Sequence, residues 1–186
     1  MGRWEPDARQ RLETAAIELF VEQGFAATTV PEITARAGLT TRTFFRYFAD
    51  KREVLFGGDQ AAAAAQRMLA EAPADVEPLA LIVSGLRAVA AERFEGRRDD
   101  LRIRRDIVNS DDGLRERDQR KRSVLREEVR KAMVARGVDK VTAALLGETC
   151  ATLLFVSVEE WLDQDGDRPL ADIVLDTLAS LRVVLS

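Results

Sequence analysis

Arg42, Thr43, Arg46 and Tyr47 fall within six consecutive positions, and Lys51 and Arg52 follow closely. Guanidinium, hydroxyl, phenol and ammonium groups at this spacing suit recognition of a polyanion with a patterned edge. Arginine can make paired hydrogen bonds to guanine, and threonine can bond a base edge or touch a thymine methyl. Tyrosine and lysine can hold phosphates. Between Arg36 and Arg52 there are five basic side chains and one acid, Asp50, whereas Met1–Phe56 as a whole carries eight of each sign. The basic charge is therefore local. The whole chain has a formal net charge of −4, which argues against a protein that coats nucleic acid by bulk charge.

Other chemistries find less support. The 186 residues contain no histidine, so the most common general base and metal ligand are both missing. A phosphate-binding glycine loop, a Gly-x-Ser-x-Gly turn and clustered cysteines are also missing, and no metal or cofactor is expected. The single cysteine, Cys150, sits in the apolar stretch GETCATLLF and reads as a buried structural residue. One cysteine permits no intramolecular disulfide, which fits a reducing, cytoplasmic setting. No apolar run approaches the length of a membrane span, and the N-terminus lacks the apolar stretch of a signal peptide.

The elements that must position Arg42 and its neighbours are helices. Period-3.6 apolar patterning recurs throughout and strand signals are nearly missing, so the chain reads as all-α. A first helix runs from Asp7 to Gln23 with Leu12, Ala16, Leu19 and Phe20 on one face, and Gly24 closes it. The stretch Thr29-Val30-Pro31-Glu32 is a capping box with proline in the first turn and opens a short helix to Ala37. Gly38 ends that helix and Thr40 caps a third, from Thr41 to Phe48. Two short helices joined by a glycine-containing turn have helix-turn-helix spacing, over about residues 29–48. On a helical wheel Thr41, Phe44, Phe45 and Phe48 form the core face, and Arg42, Thr43, Arg46 and Tyr47 the cationic one. Asp50 with Glu53 is a second capping box, and the helix it opens at Lys51 continues to about Glu71 through an alanine run.

The stretch AAIELFVEQGFAATTVPEITARAGLTTRTFFRYFADKREVL, Ala15–Leu55, resembles the DNA-binding domain of the TetR family of bacterial transcriptional regulators. The resemblance implies a three-helix DNA-binding domain at 7–56 and a larger helical ligand-binding and dimerisation domain at 57–186. It implies operator contacts at Thr40, Thr41, Arg42, Thr43 and Tyr47, with Lys51 at the next helix start and Thr29 near a phosphate. It also implies repression of transcription relieved by a small molecule, and a homodimer formed by the last two helices on a near-palindromic double-stranded operator. The sequence departs from the family at Phe45, where tyrosine is usual and its hydroxyl meets a phosphate. That contact cannot exist here.

The remaining helices are expected near residues 76–94, 101–108, 114–136 and 140–162 and after Pro169. Leu145, Thr149, Thr152 and Val156, with Leu170, Ile173, Val174, Leu178 and Leu181, are candidates for the dimer interface. Leu86, Phe94, Ile103, Ile107, Leu125, Val129, Phe155 and Trp161 are candidates for a mostly apolar ligand pocket, which favours a lipophilic effector. The charged segment around residues 100–133 looks like the ligand domains of a TetR branch associated with acyl-CoA-like ligands. Two alternatives stay open: a helical ligand-binding protein or enzyme without operator-specific binding, and a transcriptional activator.

Overall fold

The structure is a computed structural model, and it describes residues 7–56, 68–69, 71–73 and 75–186. Every regular element among the described residues is a helix. These are α1 (Ala8–Gln23), α2 (Val30–Arg36), α3 (Thr41–Tyr47), α4 (Glu53–Phe56), α5 (Pro78–Arg93), α6 (Arg98–Asn109), α7 (Asp112–Ala135), α8 (Lys140–Asp163) and α9 (Leu170–Val184). The expected continuation of α4 through residues 57–67 and 70 lies outside the described residues.

Local chemistry sets the boundaries. α1 ends where Gly24 turns to φ 86° and returns its N–H to the Phe20 carbonyl. α2 begins with the capping box: Thr29 Oγ1 accepts from the Glu32 N–H, and the Glu32 carboxylate accepts from the Thr29 N–H at 2.7 Å. Glu77 and Asp139 accept backbone N–H groups in the same way at the starts of α5 and α8.

The described residues form two compact units. The first holds the chain up to Phe56 together with Arg102–Asp118; the second holds residues 68–101, as described, with Gln119–Ser186. The first unit thus takes in Arg102–Asp118 beside the segment 7–56. The reason is core size. Leu12, Leu19, Phe20, Ile33, Phe44, Phe48 and Val54 make a small core, and Ile107 and Leu114 complete it. A core of about fifty residues is marginal in the surface it buries, and the added leucine and isoleucine are part of what closes it.

In the second unit α9 lies against both α5 and α8. Ile82, Leu86, Val129, Met133, Cys150, Leu153 and Val174 form one cluster, and Ala90, Trp161, Leu170 and Ile173 another. α7 and α8 approach closely at Gly147, where a side chain would meet the Arg126 carbonyl oxygen at 2.6 Å.

Several expectations are corrected here. Leu170, Ile173, Val174 and Leu178 are buried in the protomer's own core, so they are not available to a partner, while Leu181 is half-buried. An apolar stripe on α9 serves its own domain first. Leu145 and Val156 on α8 are exposed, as is Thr152, with Thr149 half-buried. The pocket candidates do not converge on one cavity. Leu86, Leu125 and Val129 pack in one cluster; Phe94 and Trp161 meet edge to face at 6.3 Å in another. Phe155 lies beneath the Arg122 guanidinium, Ile107 belongs to the first unit's core, and Ile103 is exposed. An open pocket of about 560 Å³ in the second unit is lined instead by Met68, Glu71, Ala72, Leu81, Ser84, Gly85 and Ala88. Finally, α8 is long and apolar enough by composition to cross a membrane, with a mean hydropathy of 1.8 over eighteen residues, against the expectation that no segment would be.

Candidate nucleic-acid interface

The turn between α2 and α3 sets how the third helix is presented. Gly38 adopts φ 64°, and a side chain there would come within 3.0 Å of Arg11 Nη2. Arg11 Nη2 donates to the Ala37 carbonyl at 2.6 Å and ties the turn to α1. Thr40 then caps α3 by accepting from the Thr43 N–H at 3.2 Å, and the two threonine hydroxyls lie 3.0 Å apart.

From this start α3 buries Phe44 and Phe48 and exposes Thr41, Arg42, Phe45 and Arg46; Thr43 and Tyr47 are half-buried. Two wheel assignments therefore change. Thr41 and Phe45 are on the exposed side, not the core side. The core needs only the two phenylalanines one turn apart, whose rings meet at 5.3 Å, and the first turn of so short a helix projects from the domain. Arg42 has no hydrogen bond or ion pair among the described residues, so its guanidinium is available to a ligand. Arg46 lies over the Tyr47 ring at 4.9 Å and donates to its hydroxyl at 3.2 Å, which orients both at the end of the helix.

Other basic residues of the segment are committed internally. Arg36 forms a double hydrogen bond with Glu22, at 2.8 and 2.7 Å, which lowers the Glu22 pKa. Lys51 Nζ donates to the carbonyls of Phe25 and Thr28 at 2.7 and 2.8 Å and reaches Ala26 at 3.4 Å, above the Phe25 ring. Burial lowers its pKa, with nearby Asp111 opposing. The three protons of Lys51, for which a phosphate-holding role is expected, are directed at backbone oxygens of the turn before α2. Thr29 is exposed but gives its hydroxyl proton to Glu32 at 2.7 Å. Hydrogen bonding by Thr29 in turn lowers the Glu32 pKa.

Sequence reading missed Arg104 and Arg117. Arg104 donates to the Val54 carbonyl at 2.9 Å, and Arg117 bonds Asp50 at 3.0 Å and also Glu53. Both belong to the 102–118 segment, and both hold α4. No local pattern signals pairing across fifty or more residues.

A short helix with an exposed cationic face, mounted on a capped helix and a glycine turn, has the arrangement of a helix-turn-helix unit. Residues 13–56 match the model for the TetR family of bacterial regulatory proteins. Over 92 residues it is 38% identical to the HTH-type transcriptional regulator TcmR of Streptomyces glaucescens; the match spans 47% of this chain and 39% of that protein. The chain thus spans well under two thirds of the length of this relative. The fold is similar to that of a protein of Syntrophomonas wolfei described as a TetR-family transcriptional regulator, with TM-score 0.65 at 16% identity over 96% of this chain and 95% of that one. It is also similar to Thermus thermophilus FadR, a TetR-family transcriptional repressor crystallised with lauroyl-CoA. There the TM-score is 0.53 at 25% identity, over 94% and 93% of the two chains.

Proposed function

We propose that the chain is a ligand-responsive, sequence-specific DNA-binding repressor. The observation that carries this is the exposed face of α3, where Arg42 stands unpaired between Thr41 and Thr43 on a helix fixed at both ends. In this reading Thr40, Thr41, Arg42 and Thr43 meet base edges in the major groove, and Tyr47 and the start of α2 at Thr29 meet phosphates. Lys51 acts indirectly, by holding the turn that aims α2. A regulator of this kind works beside the chromosome, which goes with a cytoplasmic location.

The reading includes a homodimer. Val141, Leu145 and Val156 are 71%, 62% and 51% exposed on one face of α8, and Thr152 shares it. The opposite face, with Gly147, Cys150, Leu153 and Trp161, is taken by the protomer's own core. A half-covered apolar helix suits a second copy better than a bilayer, because its buried face leaves only a stripe to cover. Two copies on a two-fold axis require a near-palindromic operator.

The effector is proposed to be lipophilic and acyl-CoA-like. The similarity to the FadR–lauroyl-CoA structure supports this. Fragment selection from genomic DNA followed by mobility-shift titration tests the whole reading. A selected sequence with two inverted half-sites, released by acyl-CoA, is the expected result. Binding without sequence preference would overturn operator recognition. Release only by small hydrophilic metabolites would overturn the ligand class.

A further inference from the structure

Phe45 is 58% exposed, and among the described residues no other aromatic side chain is in the exposed class. It is on the same helix, and the same side of it, as the residues proposed to meet DNA. We propose that Phe45 is a specificity residue that reads the 5-methyl group of a thymine in each operator half-site. This rests on the DNA-binding reading of α3 and adds to it an apolar contact beside the arginine contact.

The ring is presented firmly. It meets the Phe44 ring edge to face, with centroids 5.4 Å apart and planes at 84°. Phe44 is itself fully buried, so Phe45 stands on the core and not on another mobile side chain. Little freedom remains to be lost when a ligand covers it. Its neighbours are polar or cationic: Thr41 one turn earlier, Arg42 three residues earlier and Arg46 directly after. At 100° per residue Phe45 projects between Thr41 and Arg42. An exposed apolar ring set among cations suits a partner that is anionic overall yet offers an apolar spot within reach.

Duplex DNA has that combination. Its backbone answers the arginines, and in the major groove the apolar feature of the base edges is the thymine methyl, against which phenylalanine is a suitable contact. A phenyl ring has no hydroxyl to give a phosphate, so a backbone hydrogen bond is not open to it. The position between Thr41 and Arg42 places the thymine at, or one step from, the base pair that Arg42 reads. The preferred half-site therefore joins a guanine to a neighbouring thymine on one strand or the other.

The test uses the full chain and its selected operator. Each half-site thymine is replaced in turn by deoxyuridine, which deletes only the methyl group. One position is expected to lose about fourfold in affinity, the value of one buried methyl. Phe45→Ala is expected to weaken the unmodified operator by at least that factor and to be indifferent to deoxyuridine at that position, while Phe45→Leu keeps part of the sensitivity. Circular dichroism confirms that each variant is folded. If every deoxyuridine is silent with the unaltered chain, the inference is overturned while operator binding stands. It is equally overturned if Phe45→Ala weakens all sequences alike and keeps the deoxyuridine effect, which would make the ring a backbone contact. Absence of any preferred DNA sequence would overturn the DNA-binding reading and, with it, this one.

Discussion

Arg117 donates through Nη1 to Asp50 Oδ2 at 3.0 Å, although 67 residues separate them, and its Nη2 reaches the Glu53 carboxylate. Asp50 is at the same time the cap of α4, accepting the Glu53 N–H at 2.9 Å. One guanidinium therefore ties the start of α4 to the 102–118 segment that completes the first core. All three side chains are only partly exposed. Arg117→Ala is expected to destabilise the chain by about 1–2 kcal/mol, more than a median surface pair, because two acceptors lose their partner together. Denaturant unfolding of Arg117→Ala, Glu53→Gln and the double variant measures the coupling. Strictly additive effects would show that the pair carries nothing.

Lys51 yields a prediction opposite to the one its position at a helix start suggests. A phosphate-holding lysine, when removed, lowers the salt slope of DNA binding by about one. Here Nζ is turned inward to the Phe25 and Thr28 carbonyls. Lys51→Met is therefore expected to lower stability and weaken binding, yet leave the slope of log K against log salt unchanged. A slope reduced by a full unit would restore the phosphate role.

How much was legible in sequence follows the range of the interactions. The caps by Thr29 and Thr40 and the glycine turn at Gly38 depend on neighbours within four residues, and the sequence displays them whole. Phe44 and Phe48 were assigned correctly to the core, but Phe45 was grouped with them, since a wheel of eight residues cannot tell how wide a face the core accepts. The buried Leu170, Ile173, Val174 and Leu178 share their chemistry with an intersubunit stripe, and apolar pattern alone cannot say which surface covers a side chain. The roles of Arg104 and Arg117 were not legible because their partners lie on other elements, and no local pattern marks such a pairing.

Cys150 provides a pH-based prediction. Burial pushes its thiol up to about 12. The thiolate is the reacting species, so at pH 8 the native chain should be alkylated far more slowly than the unfolded chain, whose cysteine has an ordinary pKa near 8.5. A raised folded-state pKa means that the folded state holds the proton more tightly. Stability is therefore expected to fall as pH rises through the ordinary cysteine range toward 12. Iodoacetamide labelling followed by mass spectrometry checks the first point. Native labelling as fast as that of the denatured chain would show that the thiol is accessible.

The last prediction concerns the face of α8. Leu145 and Val156 are largely exposed and sit eleven residues apart, three turns along the same side, with Thr152 between them. In the proposed dimer these side chains are covered by a second copy, so a charge there is placed against apolar surface and against its own symmetry mate. Leu145→Glu with Val156→Glu is expected to yield a folded monomer, because neither residue contributes to the protomer's own core. The monomer should hold a single half-site with the affinity of one helix-turn-helix unit and lose the gain that the intact chain draws from two half-sites on one duplex. By contrast, Ile173→Glu, which is buried, should unfold the second unit and report nothing about assembly. Sedimentation velocity and circular dichroism separate the two outcomes. If the α8 double variant is still dimeric at micromolar concentration, the interface lies elsewhere, and the exposed stripe on α8 needs another partner.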